Sequence, residues 1–250
     1  MLTLKKSLGQ HFLKDESICL QIIDALRQHP YSQLLEVGPG GGALTKYLIK
    51  YSDVDFKLVE IDKEKIEYLS NTYPSLKTSI IEGSILDIDC PFRGTFTMVG
   101  NFPYNISTQI VFKVIEWREQ IETMIGMFQK EVAVRICAGP GSKDYGIISV
   151  ITQAYFDTQY LFDVQESAFN PPPKVKSGVI RLTYKGNVYN IANHLKFKNL
   201  VKNAFAQRRK QLRNPLKSHF DKEFLQQEIF SKRAEQLTVA DFVHLLNHMK

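Results

Sequence analysis

Asn101-Phe102-Pro103-Tyr104 brings an amide, a stiff turn and an aromatic ring together within four residues. An amide oxygen and the backbone carbonyl just after it can accept both N–H hydrogens of one amine. Held this way, the lone pair of an exocyclic base amine is localised instead of delocalised into the ring, and can attack a methyl group. Pro103 keeps both acceptors aimed, and Tyr104 offers a face on which a flipped base can stack, a contact worth ~1–3 kcal/mol. No strong base is required, because the alkylated amine becomes acidic and loses its proton to water. Taken alone, the tetrapeptide would read as a β-turn with a buried aromatic. Its place at a strand end, beside a second motif, gives it chemistry.

That second motif is Glu36-Val-Gly38-Pro-Gly40-Gly-Gly42 at a strand-to-helix turn, with Glu60 ending the next strand 20 residues after Gly40. Glycines let a backbone approach a ligand, and an acid at the neighbouring strand end takes both ribose hydroxyls. A dinucleotide and S-adenosylmethionine both fit this spacing. A dinucleotide needs backbone N–H donors for its pyrophosphate, and Pro39 removes one. Glu36 adds a second acid, unfavourable beside a pyrophosphate and useful beside a sulfonium and an ammonium group, so the methyl donor is preferred.

Elements that could position these motifs are legible along the chain. A helix over 17–29 places Ile18, Ile22, Ile23 and Leu26 on one face, with Ser17 able to cap it. Short apolar strands at 33–38, 56–60, 77–82, 96–100 and 123–128 alternate with helices at 63–72, 107–117 and 129–137. This alternation predicts an α/β fold, a doubly wound parallel sheet with helices on both faces. Residues 147–156 and 175–184 read as a β-hairpin-like pair, with Pro171 to Pro173 as a strut between them that aims Phe169. Beyond Asn190 no strand pattern remains, and helices are predicted at 194–205, 207–216, 222–230 and 239–249. The predicted division is a sheet domain over 1–187 and a small α-helical domain over 188–250.

Charge divides along the same line. The 250-residue chain carries a net +6, but from Lys185 onward 13 Lys and Arg stand against 5 Asp and Glu, while the remainder has 19 against 21. A basic appendage on a near-neutral domain suits an RNA partner. Gln207-Arg208-Arg209-Lys210, with Lys202, Arg213 and Lys217, is the candidate phosphate grip on a helix, and Lys5-Lys6 a candidate N-terminal arm. Cys19, Cys90 and Cys137 show neither disulfide-framework nor zinc-site spacing, and the histidines have no ligand spacing, so no metal is expected. No apolar run approaches the ~20 residues of a spanning helix, and a cytoplasmic location is the default expectation.

Several motifs together carry a family resemblance: Lys6-Ser-Leu-Gly-Gln10-His-Phe-Leu13, Glu36-Val-Gly-Pro-Gly40, Val59-Glu-Ile-Asp62, Asn101-Phe-Pro-Tyr-Asn-Ile-Ser-Thr108, Pro140-Gly-Ser-Lys-Asp-Tyr-Gly146, Phe169-Asn-Pro-Pro-Pro-Lys-Val175 and Gln207-Arg-Arg-Lys210. From about residue 5 to 217 the chain resembles the bacterial small-subunit rRNA adenine dimethyltransferases. The resemblance implies a Rossmann-like class I S-adenosylmethionine-dependent methyltransferase with a helical C-terminal domain. It also implies methylation at N6 of two adjacent adenosines in the 3′-terminal hairpin of 16S rRNA, on the immature small subunit; nothing in the sequence demands more than a monomer.

By position the resemblance assigns His11, Leu13, Gly38, Glu60 and Asn101 to the methyl donor, to which the glycine loop adds Gly40, and Tyr104 and Phe169 to the target adenine, one ring on each side. Ser84 falls where the family usually delivers an Asp to the donor's adenine, with Asp87 as a possible substitute. His11 replaces a frequent Asn, and Phe102 a commoner Leu at a position whose backbone matters more than its side chain. The large-subunit rRNA adenine methyltransferases of macrolide resistance share the donor site and the Asn-x-Pro-Tyr element, but the motifs at 140–146 and 207–210 look like the small-subunit enzymes. A ribosome-assembly factor with secondary catalysis is the alternative of a different class.

Overall fold

The computed structural model describes residues 11–250. Nine strands are described: β1 (Phe12–Leu13), β2 (Gln33–Val37), β3 (Asp55–Glu60), β4 (Ile80–Glu82), β5 (Phe96–Asn101), β6 (Ile121–Gln129), β7 (Phe156–Val164), β8 (Phe169–Asn170) and β9 (Ser177–Tyr184). The helices are α1 (Glu16–Arg27), α2 (Thr45–Leu48), α3 (Lys63–Thr72), α4 (Ser107–Glu116), α5 (Lys130–Cys137), α6 (Ile147–Gln153), α7 (His194–Phe205), α8 (Arg213–Leu216) and α9 (Val239–Asn247).

Seven strands form one sheet in the order β4-β3-β2-β5-β6-β9-β7. β4 through β6 pair in parallel, and β9 runs antiparallel to β6. Strands of a parallel sheet covered on both faces must be apolar throughout, and β5 is buried over its first five residues. The order turns outward from β2 in both directions, so β2, β3 and β5 end at the switch point where an open sheet leaves a crevice. A separate two-stranded ladder pairs β1 with β8, Leu13 opposite Phe169. α1 buries Cys19, Ile22, Ile23 and Leu26. Its N-cap is Asp15 rather than Ser17: the Asp15 carboxylate accepts from the Ser17 amide at 2.9 Å and from its hydroxyl at 2.6 Å.

The chain divides into two compact units. One runs to Ala133 and takes in Gln159–Tyr184; the other comprises Val134–Thr158 and Lys185–Lys250. A linear division at 187/188 misses the inserted segment, because what binds it to the C-terminal helices is remote in sequence. Tyr155 Oη meets His194 Nδ1 at 3.0 Å, and the Gly141 amide donates to the Glu235 carbonyl at 2.7 Å. The segment carries two basic and two acidic residues, so the second unit keeps the basic excess of eight.

Residues 147–153 are helical, not the first strand of a hairpin. Their apolar run has no clear period because α6 is buried on most sides. Gly146 caps it, its amide donating to Ser149 Oγ at 3.0 Å, and Gln153 Nε2 caps the end of α5 through the carbonyls of Ile136 and Ala138. The predicted helix over 207–216 is also broken. The Leu212 amide donates to the Lys232 carbonyl instead of continuing a helical ladder, Gln211 bridges Arg233, and only Arg213–Leu216 coils. In the predicted helix over 222–230, an extended Gln227 separates two 3₁₀ turns.

Candidate active site

A cleft of about 540 Å³ opens at the carboxyl ends of β2, β3 and β5, within the size range of small-molecule sites. The loop after β2 forms one wall. Gly38 and Gly40 adopt φ of 67° and 55°, and a Cβ on Gly40 would also press on the Phe12 ring at 3.3 Å. The loop's amides are largely committed inward: Gly38 N–H to the Val59 carbonyl, Gly40 N–H to Glu60 Oε2 and Gly42 N–H to the Pro39 carbonyl. Lys46, the one lysine or arginine among the described lining residues, is paired with Glu16. With Pro39 lacking an N–H and these donors used, the loop does not suit a pyrophosphate, and the dinucleotide alternative falls.

Glu60 is set at the centre of this network. Its Oε2 accepts from Gly40 at 3.1 Å, and its Oε1 from the amides of Ile61 and Asp62 at 2.9 Å each. Burial raises its pKa, opposed by those amide hydrogen bonds. Glu36 behaves differently from the sequence reading. Burial, with lesser repulsion from Glu60, pushes its carboxyl up to about 8 against the hydrogen bond from Thr45. Burial thus favours its neutral form in the free protein, which weakens the second negative charge that the sequence reading gave it. Ser84 lines the cleft, but its hydroxyl accepts from the Leu86 amide at 3.2 Å. Asp87, one turn on, is exposed and outside the lining. Sequence reading overlooked Ile61 and Tyr68, which line the cleft with 52% and 39% of their surface exposed and offer apolar contact to a ligand. The one signal for Ile61 was its place directly after the acid that ends β3.

β5 delivers the amide. Asn101 Nδ2 donates to the His11 carbonyl at 3.0 Å, which turns the amide so that Oδ1 is the atom left to accept a substrate N–H. The neighbouring Phe102 ring is 1% exposed and stands edge-on to Phe128. It fills the space over two glycines, Gly100 and Gly126, which lie opposite one another on β5 and β6. The side chain at 102 therefore matters, contrary to the sequence reading: it locks down the strand end that carries Asn101. Pro103 and Tyr104 continue the wall. Tyr104 is half-buried, its hydroxyl 2.5 Å from Ser177 Oγ, and burial raises its pKa.

His11 and Leu13 also line the cleft. The His11 ring stacks on Tyr104 with centroids 5.5 Å apart at 30°, and its Nδ1 meets the Pro171 carbonyl at 2.9 Å. Phe169 is not where the resemblance placed it. β8 pairs with β1, both Lys14 and Asp15 amides donate to the Ala168 carbonyl, and this register turns the Phe169 side chain into the core, 0% exposed and outside the cleft lining. The strut after it holds His11 through Pro171 rather than aiming Phe169 at a base.

The predicted RNA grip lies in the second unit. Lys202, Arg209, Lys210 and Arg213 are exposed, with Arg213 Nε donating to the Leu225 carbonyl at 3.2 Å. Arg208 is committed internally, to Glu235 at 2.8 Å and to the carbonyls of Lys143 and Tyr145. The acid that balances it comes from residue 235, far along the chain from the basic stretch itself. Lys5 and Lys6 lie outside the described residues. Among the described residues no group of three or more His, Cys, Asp or Glu side chains could hold a metal ion, and no helix is long and apolar enough to cross a membrane.

The donor set fits S-adenosylmethionine: the amide-braced acid at 60, a loop poor in free amides, and apolar walls for an adenine. Sheet and site together define a class I S-adenosylmethionine-dependent methyltransferase. A structure of a dimethyladenosine transferase from Plasmodium falciparum matches with a TM-score of 0.81 at 24% identity, covering 96% of this chain and 99% of that one. The 23S rRNA methyltransferase ErmE matches with a TM-score of 0.72 at 22% identity, covering 94% and 99%. A ribosomal RNA small subunit methyltransferase A from Cytophaga hutchinsonii is 50% identical over 247 residues, 97% of this chain and 96% of the relative, and its counterpart in Flavobacterium johnsoniae is 51% identical over 245 residues, 96% and 94%. The ribosomal RNA adenine dimethylase family model matches residues 1–250, and the chain belongs to that family.

Proposed function

We propose that this protein methylates N6 of two adjacent adenosines in the 3′-terminal hairpin of 16S rRNA, acting as a monomer on the immature small ribosomal subunit in the cytoplasm. The observation that carries the reading is the orientation of Asn101: the His11 carbonyl takes the amide N–H, leaving an acceptor at the cleft beside the Tyr104 ring. Glu60, Gly38, Gly40, His11 and Leu13 would hold the methyl donor, which supplies an electrophilic methyl group. Asn101 Oδ1 and the Phe102 carbonyl accept the two amine hydrogens of the adenine. Tyr104 stacks on the base, and the proton released from the alkylated amine passes to solvent. Exposed Lys202, Arg209, Lys210 and Arg213 contact phosphates. The small subunit is favoured over the large because half of the residues are shared with relatives named for the small subunit.

The test is methyl transfer to purified small subunits lacking the modification, with mass mapping of the modified adenosines. Asn101→Ala is expected to lose transfer by at least ~10²-fold, the scale of removing one transition-state hydrogen-bond partner, while keeping donor affinity. No N6-dimethyladenosine from the parent protein, or full activity in the variant, would overturn the reading.

A further inference from the structure

We propose that Ser177 is a positioning residue for the acceptor base, a role that rests on the adenine-acceptor reading above. The rings facing the acceptor end of the cleft both hang from one piece of chain, the connection between β8 and β9. Pro171 at its start holds the His11 ring through its carbonyl, and Ser177 at its end holds the Tyr104 hydroxyl at 2.5 Å.

The two ends of that hydrogen bond differ in how firmly they are fixed. Ser177 is 0% exposed, is the first residue of β9, and pairs in register with Gln129 of β6. The adjoining Lys176 carbonyl accepts from the Lys130 amide at 2.9 Å, which ties the approach to β9 as well. Tyr104, by contrast, stands in the loop after β5, where its own backbone leaves the ring two free torsions. The loop is pinned near it by Ser107 Oγ, which donates to the Tyr104 carbonyl at 3.1 Å, but that contact does not set the ring. The Ser177 hydroxyl does, since it is fully buried and the Tyr104 hydroxyl is its one side-chain partner among the described residues, so losing the contact leaves a buried hydroxyl unsatisfied. A base stacking on Tyr104 therefore takes its plane from the sheet, through Ser177, and its amine is presented to Asn101 in one orientation. Ser177 touches neither reacting group.

Ser177→Ala, Tyr104→Phe and the double variant, made in the full chain, decide this. Each single variant should lower kcat on unmodified small subunits roughly tenfold, the range set by one buried hydrogen bond, with the KM for S-adenosylmethionine within about twofold of the parent value. The double variant should be no slower than the singles, because both remove the same contact. In 3-fluorotyrosine-labelled protein, the ¹⁹F resonance absent from Tyr104→Phe should shift and broaden in Ser177→Ala. Parental kcat in Ser177→Ala, single effects that multiply in the double variant, or a Tyr104 resonance unmoved by Ser177→Ala would each overturn the proposal. A parent protein without methyl transfer would instead overturn the functional reading, and the fluorine resonance would still decide whether Ser177 sets the ring.

Discussion

Gly126→Ala should damage catalysis through the packing of a single ring. A Cβ at 126 would come 2.3 Å from Phe102 Cε2, 2.8 Å from Phe128 Cε2 and 2.9 Å from Met124 Sδ. Ordinary carbon contacts lie at ~3.5–4.0 Å, so the Phe102 ring must retreat by roughly 1 Å. It has little room to do so, because it already closes on Gly100, where a Cβ would meet the ring at 2.6 Å and the Val37 carbonyl at the same distance. Overpacking of this kind costs about 1–3 kcal/mol, readable as a lower urea midpoint. The larger effect is expected on rate. Phe102 is covalently next to Asn101, and a displacement of ~1 Å at a reacting group can cost ~10²-fold. The assay is kcat from labelled methyl donor on unmodified small subunits, with donor affinity measured by calorimetry. Phe102→Leu placed in the Gly126→Ala background vacates ring volume and should recover at least ~10-fold of the missing rate. Parental kcat in Gly126→Ala, or no recovery in the double variant, would refute the claim that the Phe102 ring positions the amide.

Three further outcomes follow from the same geometry. Glu60→Gln should weaken S-adenosylmethionine binding by about 10–100-fold, since hydrogen bonds to a charged group are worth ~1.5–3 kcal/mol; calorimetry giving the parental affinity would remove Glu60 from the donor site. Glu36 has a folded pKa of about 8, above its ordinary 4.5, so its contribution to stability is fully present below about 4.5 and is lost as pH rises through about 8. Glu36→Gln should therefore flatten the stability curve across that window in urea titrations at stepped pH, and an equally steep fall in the variant would contradict a neutral Glu36. Charge reversal at Arg209 and Lys210 should weaken small-subunit binding and reduce the salt slope by roughly 1 for each phosphate no longer neutralised, whereas Arg208→Ala should lower the stability of the second unit and leave the slope unchanged; filter binding across a salt series separates the two.

Much of the sheet unit was legible because its signals are local. Short apolar strands alternating with helical periods can be read along the chain, as can a glycine turn with an acid 20 residues on. The errors arose where partners are remote. α6 reads as a strand because an element buried on most sides loses its period. Residues 207–216 read as one helix because the competing acceptor, the Lys232 carbonyl, is 20 residues from the Leu212 amide. The domain division at 187/188 failed for the same reason, since Tyr155 and Gly141 are bound by His194 and Glu235.

The site shows the same division between type and placement. Residue types at 60, 101 and 104 could be matched to chemistry from the sequence. What aims them could not, because each is held by a group from another segment: Glu60 by the Gly40 amide, Asn101 by the His11 carbonyl, Tyr104 by Ser177. Phe169 is the instructive failure. Its motif matches the family, yet its side chain is sent to the core by a two-residue ladder with β1, a pairing that no local pattern announces. In the described conformation the ring that stacks on Tyr104 is His11, a residue assigned from sequence to the methyl donor. Under the proposed function the donor and acceptor ends of the cleft would thus share His11, whose carbonyl orients the amide while its ring covers the tyrosine. A substitution at position 11 should therefore disturb both ends together, whereas Glu60→Gln acts on the donor alone.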